Sequence, residues 1–182
     1  KVLAWGPDTD LPVRALALGP GGLYAGGDFT TVGLQGRNYI AAIDTVTGNI
    51  SAWNPNADAA VRSLVVNGSL VYAGGDFANI GAAARNRLAS LDATLGTASA
   101  WNPDMGGVVR ALALGNSVLY AAGDFLTVNG GTGRQRLAAF SLATGLPSSW
   151  DPGANGTVRA LFVSTTAVFA GGDFTNIGAA AR

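Results

Sequence analysis

The chain has 182 residues, 48% of them apolar and 12% charged, with 11 basic side chains balanced by 11 acidic ones. That composition allows a large core and leaves no basic footprint for nucleic acid and no polybasic membrane anchor. Glu, His and Cys are absent, which removes disulfides, thiolate zinc sites, thiol catalysis and every Ser–His or Cys–His pair.

The chain opens with Lys1 to Trp5, which matches Asn49 to Trp53 later on and is expected to be the outer strand of a preceding sheet. One unit then recurs, marked by Trp5, Trp53, Trp101 and Trp150 at spacings of 48, 48 and 49. Each Trp is followed two residues later by Pro. Residues 6–53, 54–101 and 102–150 are expected to be whole units, and 151–182 a partial one.

Within a unit the first expected strand is Val-Arg-Ala-Leu-Ala-Leu, as at Val13 to Leu18. It is apolar on both alternating faces apart from the Arg, which suits a strand covered on both sides. A tight turn follows, Asn67-Gly68 in the second unit, and then a strand such as Leu70 to Phe77. A Gly- and Asn-rich loop leads to a third strand, Arg87 to Asp92, and a turn at Gly96 to a fourth ending at Trp101. The Asn-Pro beyond it stops the ladder. Helix is not expected, because Glu is missing and Gly numbers 27. Four antiparallel strands in roughly 40–50 residues, repeated, describe an all-β propeller with one blade per unit. The indoles of Trp5, Trp53, Trp101 and Trp150 are expected between blades.

The Leu-Tyr-Ala-Gly-Gly-Asp-Phe-Thr stretch, the Arg-x-x-Leu-Ala-x-Leu-Asp stretch and the Thr-Gly turn resemble the "delta-sixty" β-propeller repeat. That bacterial family is found in large secreted proteins and has no assigned function. A related pattern occurs in the fungal cortical marker for cell polarity. The segment Leu88 to Trp101 is also similar to quinoprotein-type blades. The resemblance implies a secreted or cell-surface structural module and no cofactor, since no quinone- or metal-binding set is present.

About 3.75 blades are read from the sequence, and Arg182 aligns with Arg85 and Arg134 just before a third strand. The expectation is a segment of a longer propeller, or one that assembles with other copies, because unpaired edges would otherwise stay open.

The recurring charges are the candidate site. Arg14, Arg62, Arg110 and Arg159 each precede an Asp by 14 residues, at Asp28, Asp76, Asp124 and Asp173. A further Arg recurs at Arg37, Arg85 and Arg134, and the register places it near the Arg–Asp pair. Each Asp is expected to brace the following loop by accepting its N–H groups; a carboxylate ring for cations is the competing reading. Gly26-Gly27 after a strand is expected to mark a bulge or close backbone approach, not a phosphate loop, because no helix or Lys follows. Asp8, Asp10, Asn54, Asp58, Asp104 and Asp151 are read as variable loop positions on one face, the preferred binding surface.

These residue types point to a non-catalytic structural or interaction module with protein, matrix or glycan partners. They point to no nucleic acid, no membrane insertion, no cofactor and no metal. A carbohydrate-binding propeller, with Tyr39 the aromatic to check, and an Asp-based glycan hydrolase are the alternatives. No run reaches the ~20 apolar residues of a membrane helix. Composition suggests a bacterial exterior.

Overall fold

A computed structural model describes residues 6–115, 117–178 and 180–181. The readings made for Lys1 to Trp5 and for Arg182 lie outside the described residues. Those described form an all-β chain without helix, so no helix among them is long and apolar enough to cross a membrane.

The first unit supplies β1 (Val13–Gly19), β2 (Gly22–Gly27), β3 (Thr31–Val32), β4 (Gln35–Gly36) and β5 (Ile40–Ile43). The second supplies β6 (Val61–Asn67), β7 (Leu70–Gly75), β8 (Asn79–Ile80), β9 (Ala83–Ala84) and β10 (Leu88–Asp92). The third supplies β11 (Val109–Leu114), β12 (Val118–Gly123), β13 (Thr127–Val128), β14 (Thr132–Gly133) and β15 (Leu137–Ser141). The fourth supplies β16 (Val158–Val163), β17 (Val168–Gly172), β18 (Asn176–Ile177) and β19 (Ala180–Ala181). The large sheets run β1-β2-β5, β6-β7-β10 and β11-β12-β15, while β16 pairs with β17 alone. None of these sheets closes on itself among the described residues.

Three local expectations are corrected. The fourth strand is reduced to single bridges, Ile43 to Ile50, Leu91 to Ala98 and Phe140 to Pro147. Its continuation is spent elsewhere: the carbonyls of Ser51, Ser99 and Ser148 accept the guanidinium of Arg37, Arg85 and Arg134. The second-to-third connection is not a plain loop, because it folds into the short hairpins β3–β4, β8–β9, β13–β14 and β18–β19. The turn of the second unit is Gly68-Ser69 closed by Asn67 opposite Leu70, one residue later than expected. Only its first position has positive φ, 58° at Gly68, the pattern of a type II′ hairpin.

Every first strand carries a bulge at its Arg. The register slips between Val13 and Ala15, Val61 and Ser63, Val109 and Ala111, and Val158 and Ala160. The extra residue resets the two-residue alternation, so Val61 and Leu64, three apart, bury on the same face. The partner Gly-Gly is therefore not itself the bulge. At Gly27, Gly75, Gly123 and Gly172 a Cβ would overlap the carbonyl of Pro12, Ala60, Val108 and Thr157 respectively.

Successive sheets pack face to face. One core joins units 1 and 2 through Tyr24, Ile40, Trp53, Val61, Leu64, Ala89 and Leu91. Its counterpart joins units 2 and 3 through Tyr72, Leu88, Trp101, Val109, Leu112, Ala138 and Phe140. A smaller one joins units 3 and 4 around Leu137 and Val158. Each fully buried Leu or Val stabilises by about 1.5–3 kcal/mol. At the junctions, Val61 fits against Gly26 and Val109 against Gly74, each with a methyl 2.6 Å from where a glycine Cβ would stand.

Candidate functional site

The four Arg–Asp pairs form a ladder at one end of the first strands. The bulge turns each Arg toward the Asp that follows the second strand. Arg62 grips Asp76 with Nε and Nη2 at 2.8 and 2.5 Å. Arg110 holds Asp124 at 2.8 and 2.6 Å, and Arg159 holds Asp173 at 2.9 and 2.5 Å. Arg14 meets Asp28 in the same two-pronged way. Hydrogen bonds from the guanidinium hold Asp28, Asp124 and Asp173 below the usual carboxylate range, and the neighbouring unit's Arg adds to this. Thr157 also donates to Asp124 across the unit junction, at 2.7 Å. A guanidinium faces each of these carboxylates, so the ladder is charge-neutral rather than a ring of free carboxylates.

Two expectations about this cluster are corrected. Arg37, Arg85 and Arg134 do not join the pairs; they reach back to the carbonyls of Gly36, Ala84 and Gly133 and across to the Ser before each Trp. In all three, Nε is buried without a partner. The following loop is also not held by Asp28 or Asp76. Asp10 accepts the N–H groups of Thr30 and Thr31, and Asp58 those of Ala78 and Asn79. In the fourth unit the amide oxygen of Asn155 does the same for Thr175 and Asn176.

Asp10 and Asp58 therefore brace the loop in units 1 and 2 as Asn155 does in unit 4, while unit 3 has Gly106 at that position. The Thr30 hydroxyl and the Thr31 N–H lower Asp10 to about 2. Burial pushes Asp58 up, but the Asn79 and Ala78 donors outweigh it and leave it lowered. Asp104 accepts from Asn86 at 2.7 Å, as Asn56 does from Asn38. Asp151 lies 3.8 Å from Arg134. Asp8 and Asn54 are exposed, and the Asp8 carbonyl accepts from Gly33. Tyr39 is half-buried and packs on the core between units 1 and 2, so it offers no exposed platform.

Trp53 and Trp101 are buried between units, and their indole N–H groups donate at 2.9 Å to the carbonyls of Asp92 and Ser141, one unit on. Each stands edge-on to a tyrosine, Tyr24 and Tyr72. Trp150 stands likewise on Tyr120 but is only half-buried. Trp5 lies outside the described residues.

Two sets of residues are not singled out by the sequence. Arg87 and Arg136 donate to the carbonyls of Met105 and Ala154 across unit junctions. Asp44 and Asp92 cap the third-strand turn by accepting the N–H groups two and three residues on. The Asp-x-x-x-Gly spacing shared by Asp44 to Gly48 and Asp92 to Gly96 is the signal that marks the caps.

No family model matches the chain, and no curated protein matches it. Among solved structures it is similar to the computationally designed Ika4 protein, with 17% identity, a TM-score of 0.64, and coverage of 90% of this chain and 87% of that one. It is also similar to the computationally designed Ika8 protein, with 16% identity and a TM-score of 0.60. That match covers 87% of this chain and 42% of the other, so the chain spans less than half the length of Ika8. At these identities the likeness concerns the fold alone.

Proposed function

We propose that the chain is a non-catalytic structural or interaction module, an arc of β-propeller blades from a secreted or cell-surface protein, whose two open faces stack on further blades of the same kind. The observation that carries this reading is the mismatch between equivalent positions. Val61, Val109 and Val158 are fully buried, whereas Val13 in the same column is 41% exposed. Leu16 is 59% exposed where its counterparts Leu64 and Leu112 are buried. At the other end Phe162 and Phe169 lie open, and nothing stands within 4 Å of a Cβ placed on Gly171. Gly26 and Gly74, in that column, each receive a valine.

The first face thus presents the knobs, and the last face the socket, of a junction the chain already makes internally. Contiguous apolar surface of this kind marks an association site, and a heterologous contact of repeated geometry extends or closes a ring.

Light scattering across a concentration series tests the reading. The expected result is a mass at multiples of 18.2 kDa that Leu16→Arg returns to the single chain with unchanged far-UV circular dichroism. A single-chain mass at every concentration, or turnover of a polysaccharide panel, would overturn it.

A further inference from the structure

We propose that the Asn67-Gly68 step at the tip of the second unit is a self-modification site, where the carboxamide nitrogen of Asn67 leaves as ammonia and the residue becomes aspartate or isoaspartate. Asn-Gly occurs three times, at Asn67-Gly68, Asn129-Gly130 and Asn155-Gly156. The reaction needs the glycine nitrogen, stripped of its proton, to reach the preceding Cγ. Glycine favours it, because no Cβ hinders the approach. Which step reacts is then decided by the freedom of the carboxamide, the freedom of the glycine N–H and the room to close a small ring.

At Asn67 all of these are met. Residues 67–69 are exposed, and Gly68 turns the chain with φ at 58°. Neither the Asn67 carboxamide nor the Gly68 N–H has a hydrogen-bond partner among the described residues. No atom stands within 4 Å of a Cβ placed on Gly68. The other units have Gly19-Pro20, Gly115-Asn116 and Ser164-Thr165 at this place, so among the tips the chemistry is confined to unit 2. Asn155 is the opposite case. Its Oδ1 accepts the N–H groups of Thr175 and Asn176, and its Nδ2 donates to the Thr175 hydroxyl, all at 2.9 Å. A Cβ on Gly156 would stand 2.8 Å from the backbone of Phe174. The brace of the loop is thus also a shield for the amide that makes it. Asn129 lies between the two. Its own N–H is tied to the Pro103 carbonyl at 2.6 Å and the Gly131 N–H to that of Val128 at 3.1 Å. Asp104 Oδ2 comes within 3.7 Å of the Cβ position on Gly130, and a carboxylate there opposes the negative charge that builds on the attacking nitrogen.

The step balances with water alone. A base takes the Gly68 proton, the nitrogen bonds to Asn67 Cγ, the Cγ–Nδ2 bond breaks and ammonia leaves. Water then opens the imide at either carbonyl, giving aspartate or isoaspartate, and nothing is oxidised or reduced. The product adds a negative charge to a chain whose 11 basic and 11 acidic side chains cancel. In isoaspartate the main chain runs through Cβ, which lengthens it at the Asn67–Leu70 pair that closes the hairpin. Val66, which packs on the core between units 1 and 2, lies outside the ring, so the change is confined to the tip.

The experiment holds the full chain in mildly alkaline buffer made with heavy-oxygen water, digests samples over time and follows each Asn-Gly peptide by mass spectrometry. The expected order is Asn67, then Asn129, then Asn155, with Asn155 roughly 100-fold slower than Asn67, the value of three hydrogen bonds that must open first. In urea, where the fold is lost, the three rates should converge. Thr175→Val removes one of those bonds and should speed Asn155 roughly fivefold; if that variant misfolds, the urea comparison still separates fold from sequence. A folded chain in which Asn155 keeps pace with Asn67, in which Asn129 leads, or in which Asn67 stays intact while the urea sample reacts would overturn the proposal.

Discussion

Trp101→Ala and Trp150→Ala should differ sharply in cost, although the two residues hold the same place in the repeat. Trp101 is buried, with rings of Tyr72 and Phe140 edge-on at 5.1 and 6.2 Å and its N–H on the Ser141 carbonyl at 2.9 Å. Truncating a buried Trp costs about 3–5 kcal/mol. Two aromatic edges of about 0.5–1.5 kcal/mol each and a hydrogen bond of about 1 kcal/mol place Trp101 near the top of that range. Trp150 is half-buried, has Tyr120 at 5.1 Å and faces an open cavity. Its truncation should cost about 2 kcal/mol, since less area leaves contact and the surroundings are already open. Equilibrium urea unfolding followed by far-UV circular dichroism measures both, with slopes compared, because an array of repeats can lose two-state behaviour. Trp101→Phe isolates the N–H and should cost about 1–2 kcal/mol. Equal losses for the two alanine variants would refute the reasoning, because the junction between units 3 and 4 would then be as complete as its predecessor.

Three further outcomes follow from the same geometry. Gly123→Ala drives a methyl into the Val108 carbonyl and should cost more than about 2 kcal/mol, whereas Gly171→Ala, which meets nothing, should leave the thermal midpoint of the single chain unchanged. A double-mutant cycle on Arg62 and Asp76, whose side chains are 24% and 27% exposed, should give a coupling of about 0.5–1 kcal/mol that shrinks in high salt. Stability should be flat between roughly pH 5 and 9, because no His is present. Below about pH 4 it should fall: Asp10, Asp28, Asp124 and Asp173 are lowered in the folded state, so their contribution is complete above the unfolded value and lost on the way down. A titration of the urea midpoint that rises on acidification would contradict this.

The repeat columns made the three principal strands and their order legible, because apolar runs bounded by Gly, Asn-Pro and Thr-Gly recur in step. The fourth strand was misread because its ladder ends where Ser51, Ser99 and Ser148 give their carbonyls to arginines far off in sequence. The bulge was invisible for a related reason. Val61 and Leu64 violate strand alternation, and the reading of a strand apolar on both sides absorbed that violation without seeing the extra residue at Arg62. In the site, the 14-residue spacing revealed the pairs. It could not reveal that Arg85 turns away from Asp76, since neighbourhood at one sheet edge does not fix the direction of a long side chain. The bracing role of Asp10 and Asp58 was not legible because their column varies, with Gly106 in unit 3 and Asn155 in unit 4, the latter keeping the same acceptor geometry with a different side chain.

The valine-on-glycine seating at Gly26 and Gly74 bears on how such a gene can change. A duplication or deletion of one whole repeat brings together surfaces of the same kind, with Ala122 in place of the glycine in the third unit, so the gene can grow or shrink by unequal recombination with few compensating substitutions. Selection can then act on the number of copies before it acts on any single codon.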